Sequence, residues 1–306
     1  MFFEEHLEAL RRDRFSVPAL VRYGREVAAR VRADWDANPT AVRSVWSLAL
    51  LFFAADFVVS AGFALAFGPR FAIDHFLAAG AGILVPFALV SCSTSLLRDR
   101  HGYRLSSINL PIAITLLRCA ILPPIVLFLV DRHFGMALGA FLFAAVSDVL
   151  DGWLARRWDQ CTPLGKVLDP IVDIVFNLVV FAGLYAARLT PGWVFAAAAA
   201  RYGVLLVGGA YLYLFVGPVK IEPTLFGRMT GVVMSALIGL IALLHLVHRP
   251  LAERLTPLTE IALGVLMAAT VVYVVILGWH NLRVMRGRVA EVRGRVVGDV
   301  RWGSGS

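Results

Sequence analysis

"SDVLDGWLARRWDQCTPLGKVLDPIVDIVFN", Ser147–Asn177, sets four aspartates, Asp148, Asp151, Asp169 and Asp173, into two largely apolar runs, with a fifth, Asp159, in the polar stretch between them. Charge inside an apolar, membrane-length stretch is costly and marks a functional site by default. Asp148 and Asp151 are three residues apart, and Asp169 and Asp173 four apart, so each pair shares one face of a helix. The connection between them is short. The two helices are therefore expected as antiparallel neighbours, with both pairs facing each other at one end. Four facing carboxylates cannot all stay ionised unpaired, so protons or cations must sit among them. Two divalent ions would balance the four charges, and oxygen-only donors suit Mg²⁺ or Mn²⁺. Such a pair of ions clamps the oxygens in a displacement at phosphorus.

Small residues fit the same chemistry. Gly152 lets a ligand or a neighbouring helix come close to the backbone. Ala155 sits one turn after Asp151, and Gly165 one turn before Asp169. Arg156 stands at the helix end, where its guanidinium can hold phosphate oxygens in bidentate fashion. Pro170 disfavours helical geometry at Asp169, which predicts a local break that aims this carboxylate.

Composition agrees with a membrane location. The 306 residues are 59% hydrophobic and 16% charged, against about 45–50% and 25% for a soluble domain. The net charge of +8 comes almost wholly from arginine, since Lys166 and Lys220 are the only lysines. The basic residues are dispersed and no binding fold accompanies them, which argues against nucleic acid as a partner. Cys92, Cys119 and Cys161 show neither zinc nor disulfide spacing. The N-terminus has acids where a signal peptide needs positive charge.

About 20 apolar residues are needed to cross a bilayer as a helix. Eight spans are expected near 44–67, 75–97, 108–130, 134–155, 164–187, 192–216, 228–247 and 258–279. The expected fold is an all-α, polytopic membrane helix bundle. It has a six-helix catalytic core, an extra N-terminal transmembrane hairpin and amphipathic interfacial helices. Residues 1–43 form the amphipathic segment, with Phe2, Phe3, Leu7 and Leu10, then Val27, Val31 and Trp35, at helical spacing. Residues 44–104 are the hairpin and a basic loop, 105–280 the membrane domain, and 281–306 a basic tail. Arginines crowd the N-terminal segment, the tail and loops 98–104, 156–166 and 217–228. The positive-inside rule then puts both termini and the aspartate ends in the cytoplasm, most simply at an inner membrane.

The stretch also reads D-x2-D-G-x2-A-R-x8-G-x3-D-x3-D through Asp148, Asp151, Gly152, Ala155, Arg156, Gly165, Asp169 and Asp173. This resembles the signature of the CDP-alcohol phosphatidyltransferase family at every position and spacing. "INLPIAITLLRCAILPP", with Asn109, Thr115, Arg118 and Pro123, is similar to the family's first core span. "KIEPTLFGRMT" resembles its later basic segment, with Arg228 where lysine is usual. The resemblance covers about residues 105–280 and leaves the hairpin out.

The resemblance implies transfer of a phosphatidyl group from CDP-diacylglycerol to an alcohol, with release of CMP. It implies Asp148, Asp151, Asp169 and Asp173 as metal ligands, with Asp173 also the general base. Gly152, Ala155, Arg156 and Gly165 would line the nucleotide site, and a homodimer is expected. Arg201, Lys220, Arg228 and Arg118 are candidates for binding an acceptor phosphate. The local sequence looks closest to the phosphatidylglycerophosphate-synthase and cardiolipin-synthase branch. Glycerol-3-phosphate is the preferred acceptor, with phosphatidylglycerol or an inositol phosphate as alternatives. Two other classes compete. An intramembrane prenyltransferase would carry two separated aspartate-rich loops. A transporter or scaffold with a divalent-metal site would more often show inverted repeats.

Overall fold

The computed structural model describes residues 16–211, 225–247, 250–251, 254–273 and 275–276. Among these residues it is helical, without strands; one isolated antiparallel bridge joins Arg98 and Arg104. The helices are α1 Val17–Ala37, α2 Pro39–Phe67, α3 Pro69–Cys92, α4 Leu110–Val130, α5 Phe134–Arg157, α6 Pro163–Ala186, α7 Gly192–Tyr211 and α8 Leu225–Val247, followed by α9, Arg254–Tyr273. Six of them, α2 to α6 and α9, are long and apolar enough to cross a membrane. The apolar stretch of α7, Gly192–Val207, is shorter. The chain is an integral membrane protein, and helices suit that solvent because each satisfies its own backbone polar groups.

Prolines set the helix starts. Asn38–Pro39, Gly68–Pro69 and Thr162–Pro163 each put a proline at the first helical position, where its missing N–H costs nothing. Hence α2 begins at Pro39 rather than near residue 44. The following helix runs Pro69–Cys92 rather than 75–97, and a 3₁₀ turn, Thr94–Leu96, succeeds it.

The first described helix is the amphipathic one. Val27 and Val31 are half-buried, while Trp35 donates from its indole Nε1 to the Ser91 carbonyl at 2.7 Å. This ties α1 to the end of α3. Phe2, Phe3, Leu7 and Leu10 lie outside the described residues. Asn38 caps α2 through its Oδ1 and donates to the Leu105 carbonyl at 2.8 Å; Ile108 N donates to Ser44 Oγ at 3.1 Å. These bonds fix the approach to α4.

Helix α4 is the central element. It packs along α3, α5 and α6. The aspartate-bearing helices α5 and α6 were expected as direct neighbours. Instead each lies mainly against α4, and they make little contact with each other. The two apolar cores give the reason. The core away from the aspartates draws Phe134, Ala137, Phe141 and Ala144 from α5, together with residues of α3, α4 and α6 to α9. The core nearer the loop between α5 and α6 uses α2, α3, α4 and α6, through residues such as Val45, Phe87, Leu116 and Leu168. Helix α5 gives nothing to that second core, so a cleft opens between α5 and α6.

Candidate active site

Local rules place each site element. Asn109 caps α4 by accepting from Ile112 N at 3.3 Å, and its Nδ2 donates to the Gln160 carbonyl at 2.8 Å. One side chain thus starts the helix and pins the α5–α6 loop to it. Thr162 caps α6, accepting from Gly165 N at 3.0 Å. Helix α6 then continues through Pro170 without a break, so the predicted interruption at Asp169 does not occur. Neighbouring helices make such a proline tolerable in a membrane.

The cleft holds about 300 Å³. Helix α4 lines it with Pro111, Ile112 and Thr115, and α5 with Asp151, Gly152, Ala155 and Arg156. The loop adds Gln160, Cys161 and Thr162, and α6 adds Gly165, Lys166 and Asp169. Six of the eight signature positions therefore border one cavity. The other two, Asp148 and Asp173, lie close by: Asp173 is within electrostatic reach of Asp148, Asp169, Asp151 and Arg118. The guanidinium of Arg156 lies over Gly152, 3.4 Å from where a Cβ there would stand.

Asp151 is buried, whereas Asp148, Asp169 and Asp173 are exposed. Thr115 Oγ1 donates to Asp151 Oδ2 at 2.9 Å. Arg118, almost wholly buried, pairs with Asp148 Oδ1 through Nη1 and reaches Asp151 Oδ2 through Nη2 at 3.4 Å. Arg118 is thus held by the aspartates. Arg118 is the one cation paired with these carboxylates among the described residues; with Arg156 and Lys166 on the cleft wall, three cations stand against four carboxylates, and negative charge stays in excess. Among the described residues no three acidic, histidine or cysteine side chains close into a cage around one point. By charge and donor type, hard carboxylate oxygens bordering an open cleft, the residues fit a divalent ion.

Arg201, a sequence-based candidate for an acceptor phosphate, is buried in α7. Among the described residues no carboxylate pairs with it. Its Nη1 touches Met234 Sδ, its Nε has no partner, and its guanidinium lies 5.0 Å from the Tyr202 ring centre. Tyr202 in turn lies within electrostatic reach of Asp173. Lys220 lies outside the described residues, as does the side chain of Arg228.

Thr115, Gln160 and Thr162 also border the cleft, and sequence spacing assigns none of them a role. A Thr-Pro pair is a helix-start signal that marks Thr162. Nothing in spacing alone marks Gln160.

The family model for CDP-alcohol phosphatidyltransferase matches residues 108–282, more than half of the chain. The chain belongs to the CDP-alcohol phosphatidyltransferase family. It is similar to the CDP-diacylglycerol–glycerol-3-phosphate 3-phosphatidyltransferase of Aquifex aeolicus, 30% identical over 156 residues, 50% of this chain and 86% of the relative. It is also similar to the CMP-forming cardiolipin synthase of Streptomyces coelicolor, 42% identical over 73 residues, covering 24% of this chain and 34% of that one. The glycerol-3-phosphate 3-phosphatidyltransferase of Pectobacterium atrosepticum is 42% identical over 88 residues, 28% of this chain and 47% of the relative. No solved structure matches the chain. The protein is an enzyme of this family, a phosphatidyltransferase in the membrane.

Proposed function

We propose that this enzyme transfers the phosphatidyl group of CDP-diacylglycerol to the hydroxyl of glycerol-3-phosphate. The observation that carries this is the single cleft bordered by Asp151, Gly152, Ala155, Arg156, Gly165 and Asp169. Gly152 and Gly165 leave room for the nucleotide, Ala155 forms its wall, and Arg156 holds phosphate oxygens. Asp148, Asp151, Asp169 and Asp173 would hold two divalent cations, Mg²⁺ or Mn²⁺. When bound, these ions polarise the phosphoryl group and neutralise the leaving CMP phosphate.

Asp173 accepts the proton of the attacking hydroxyl. The hydroxyl oxygen forms a bond to the phosphorus that bears diacylglycerol. The bond from that phosphorus to the bridging oxygen of the diphosphate breaks, and CMP leaves with the electron pair. Arg118 restrains Asp148 and Asp151, so both carboxylates are held beside the cleft before substrate arrives.

Arg201 favours an acceptor with a phosphate of its own. A buried guanidinium without a carboxylate partner is a ready site for a phosphate oxygen. Tyr202, against which Arg201 lies, is within electrostatic reach of Asp173, which supports an acceptor phosphate at Arg201. The extent of the Aquifex match supports the same acceptor. Lys220 and Arg228 are sequence-based candidates for the same phosphate. The match to cardiolipin synthases supports phosphatidylglycerol as a second acceptor.

The family domain spans about 105–280, preceded by an amphipathic segment over 1–43 and a hairpin with its basic loop over 44–104, and followed by the tail 281–306. The arginine-rich loops support an inner-membrane protein with the cleft's loop end and both termini in the cytoplasm. A homodimer is part of the proposal.

The test is CMP release from CDP-diacylglycerol with Mg²⁺ or Mn²⁺. Glycerol-3-phosphate, phosphatidylglycerol, an inositol phosphate, serine and buffer alone serve as acceptors. Release with glycerol-3-phosphate that Asp173→Asn abolishes is the expected result. Release only with another acceptor would overturn the assignment of glycerol-3-phosphate.

A further inference from the structure

The cleft has two ends. Thr115 bonds to Asp151, which with Asp169 marks the carboxylate end. Asn109, the cap of α4 six residues earlier, bonds to the Gln160 carbonyl, and Gln160 with Pro111 marks the loop end. Six helical residues rise about 9 Å, the same order as a nucleoside monophosphate from phosphate to base edge. A CMP unit with its phosphate at the carboxylates therefore brings its base to Gln160.

Gln160 is built to meet it. Its Oε1 is buried and lacks a hydrogen-bond partner among the described residues. A buried, unsatisfied acceptor carries a full desolvation penalty until a donor reaches it. The residue is held firmly at the backbone. Gln160 N donates to the Ala155 carbonyl at 2.9 Å, and its own carbonyl accepts from Asn109 Nδ2 at 2.8 Å. Asp159 before it takes a left-handed φ of 52°, which turns the chain from α5 into the loop. The residue is thereby held at the cleft wall by backbone contacts that leave its side-chain amide uncommitted.

We infer that Gln160 reads the hydrogen-bonding edge of the cytosine base, which rests on the CDP-diacylglycerol reading above. Cytosine offers an exocyclic amine as donor beside a ring nitrogen as acceptor. The Gln160 Oε1 accepts from that amine while Nε2 donates to the ring nitrogen. Uracil reverses both roles and is bound only after the amide turns over. Gln160 therefore supplies base affinity, and preference for cytosine is strongest where the carboxamide is held in one orientation.

Binding of CMP, UMP and ribose 5-phosphate to the purified full-length protein, with Mg²⁺ present, tests this by calorimetry in detergent. Ribose 5-phosphate keeps the phosphate and sugar but has no base. Gln160→Leu should weaken CMP about tenfold, the loss of one to two hydrogen bonds, and leave ribose 5-phosphate unchanged. Gln160→Glu keeps an acceptor for the amine and should fall between the wild type and the leucine variant. Equal weakening of CMP and ribose 5-phosphate would mean that Gln160 only shapes the loop, and would overturn the inference. Unchanged CMP binding in both variants would overturn it as well. Failure of the wild type to bind CMP would sink the donor reading itself and the inference with it.

Discussion

Thr115 Oγ1 donates a 2.9 Å hydrogen bond to Asp151 Oδ2, joining the central helix α4 to the most buried carboxylate of the cleft. The same hydroxyl lies 3.1 Å from the Pro111 carbonyl one turn back. It stands at the correct height on α4 to fix one lone pair of Asp151 and leave the others to face the cleft. Thr115→Val keeps the shape and removes the donor. A charged acceptor that loses such a bond costs about 1.5–3 kcal/mol. The variant should fold, with CMP release reduced at least tenfold. Full activity in Thr115→Val would show that Asp151 needs no help from α4.

Arg118 is the only basic side chain paired with the carboxylates of the cleft among the described residues. Arg118→Met removes that charge and leaves Asp151 buried without its counterion. Breaking a buried pair costs about 3–5 kcal/mol; Asp148 is half exposed, so the lower end applies here. The variant should unfold at a lower temperature in metal-free buffer. Added Mg²⁺ should recover more stability in the variant than in the wild type, because a ligand of the folded state stabilises it by mass action. Thermal unfolding in detergent, with and without Mg²⁺, measures both. An equal Mg²⁺ shift in the two proteins would show that Arg118 and the ion do not compete for the carboxylates.

Much of this site is legible in the sequence because its residues obey helical periodicity. Asp148 and Asp151, or Gly165 and Asp169, share a face whatever surrounds them. Helices stand at all eight expected spans, but among the described residues six of them are long and apolar enough to cross a membrane. Boundaries were less so, because Asn38–Pro39 and Gly68–Pro69 act through caps rather than hydropathy. The position of α4 between the aspartate helices was not legible at all. It depends on which faces of α5 and α6 find apolar partners, and loop length does not reveal that. Gln160 was hidden similarly, since its significance is an unmade hydrogen bond and only packing shows one.

The extra hairpin reaches the site through Gly82. A Cβ at that position would stand 2.4 Å from the Cys119 carbonyl oxygen and 3.1 Å from Ala120 Cα. Both belong to the backbone of α4, next to Arg118. Backbone cannot swing aside as a side chain does, so even Gly82→Ala must push α3 and α4 apart. Close crossings of this kind rely on small residues in membranes. Gly82→Ala should lower the unfolding temperature and reduce CMP release, although Gly82 touches no residue of the cleft. Gly62, with open space around it, is the control: Gly62→Ala should leave both unchanged. Equal behaviour of the two variants would separate the hairpin from the site.

Arg201 separates a ligand site from a structural pair. Removing one partner of a buried ion pair destabilises a protein, because the other charge stays behind. Arg201 has no carboxylate partner among the described residues, so removing its charge strands no anion there. Arg201→Met also fills most of the space against Tyr202 and Met234. The variant should therefore keep or slightly raise its thermal stability. Its KM for glycerol-3-phosphate should rise at least tenfold, the cost of about 1.4 kcal/mol or more in lost phosphate contact. CMP binding should stay as in the wild type, since Arg201 does not line the nucleotide cleft. Steady-state kinetics over a range of glycerol-3-phosphate, beside a thermal melt, gives both quantities. A large loss of stability with an unchanged KM would identify Arg201 as a structural residue and remove the main support for a phosphorylated acceptor.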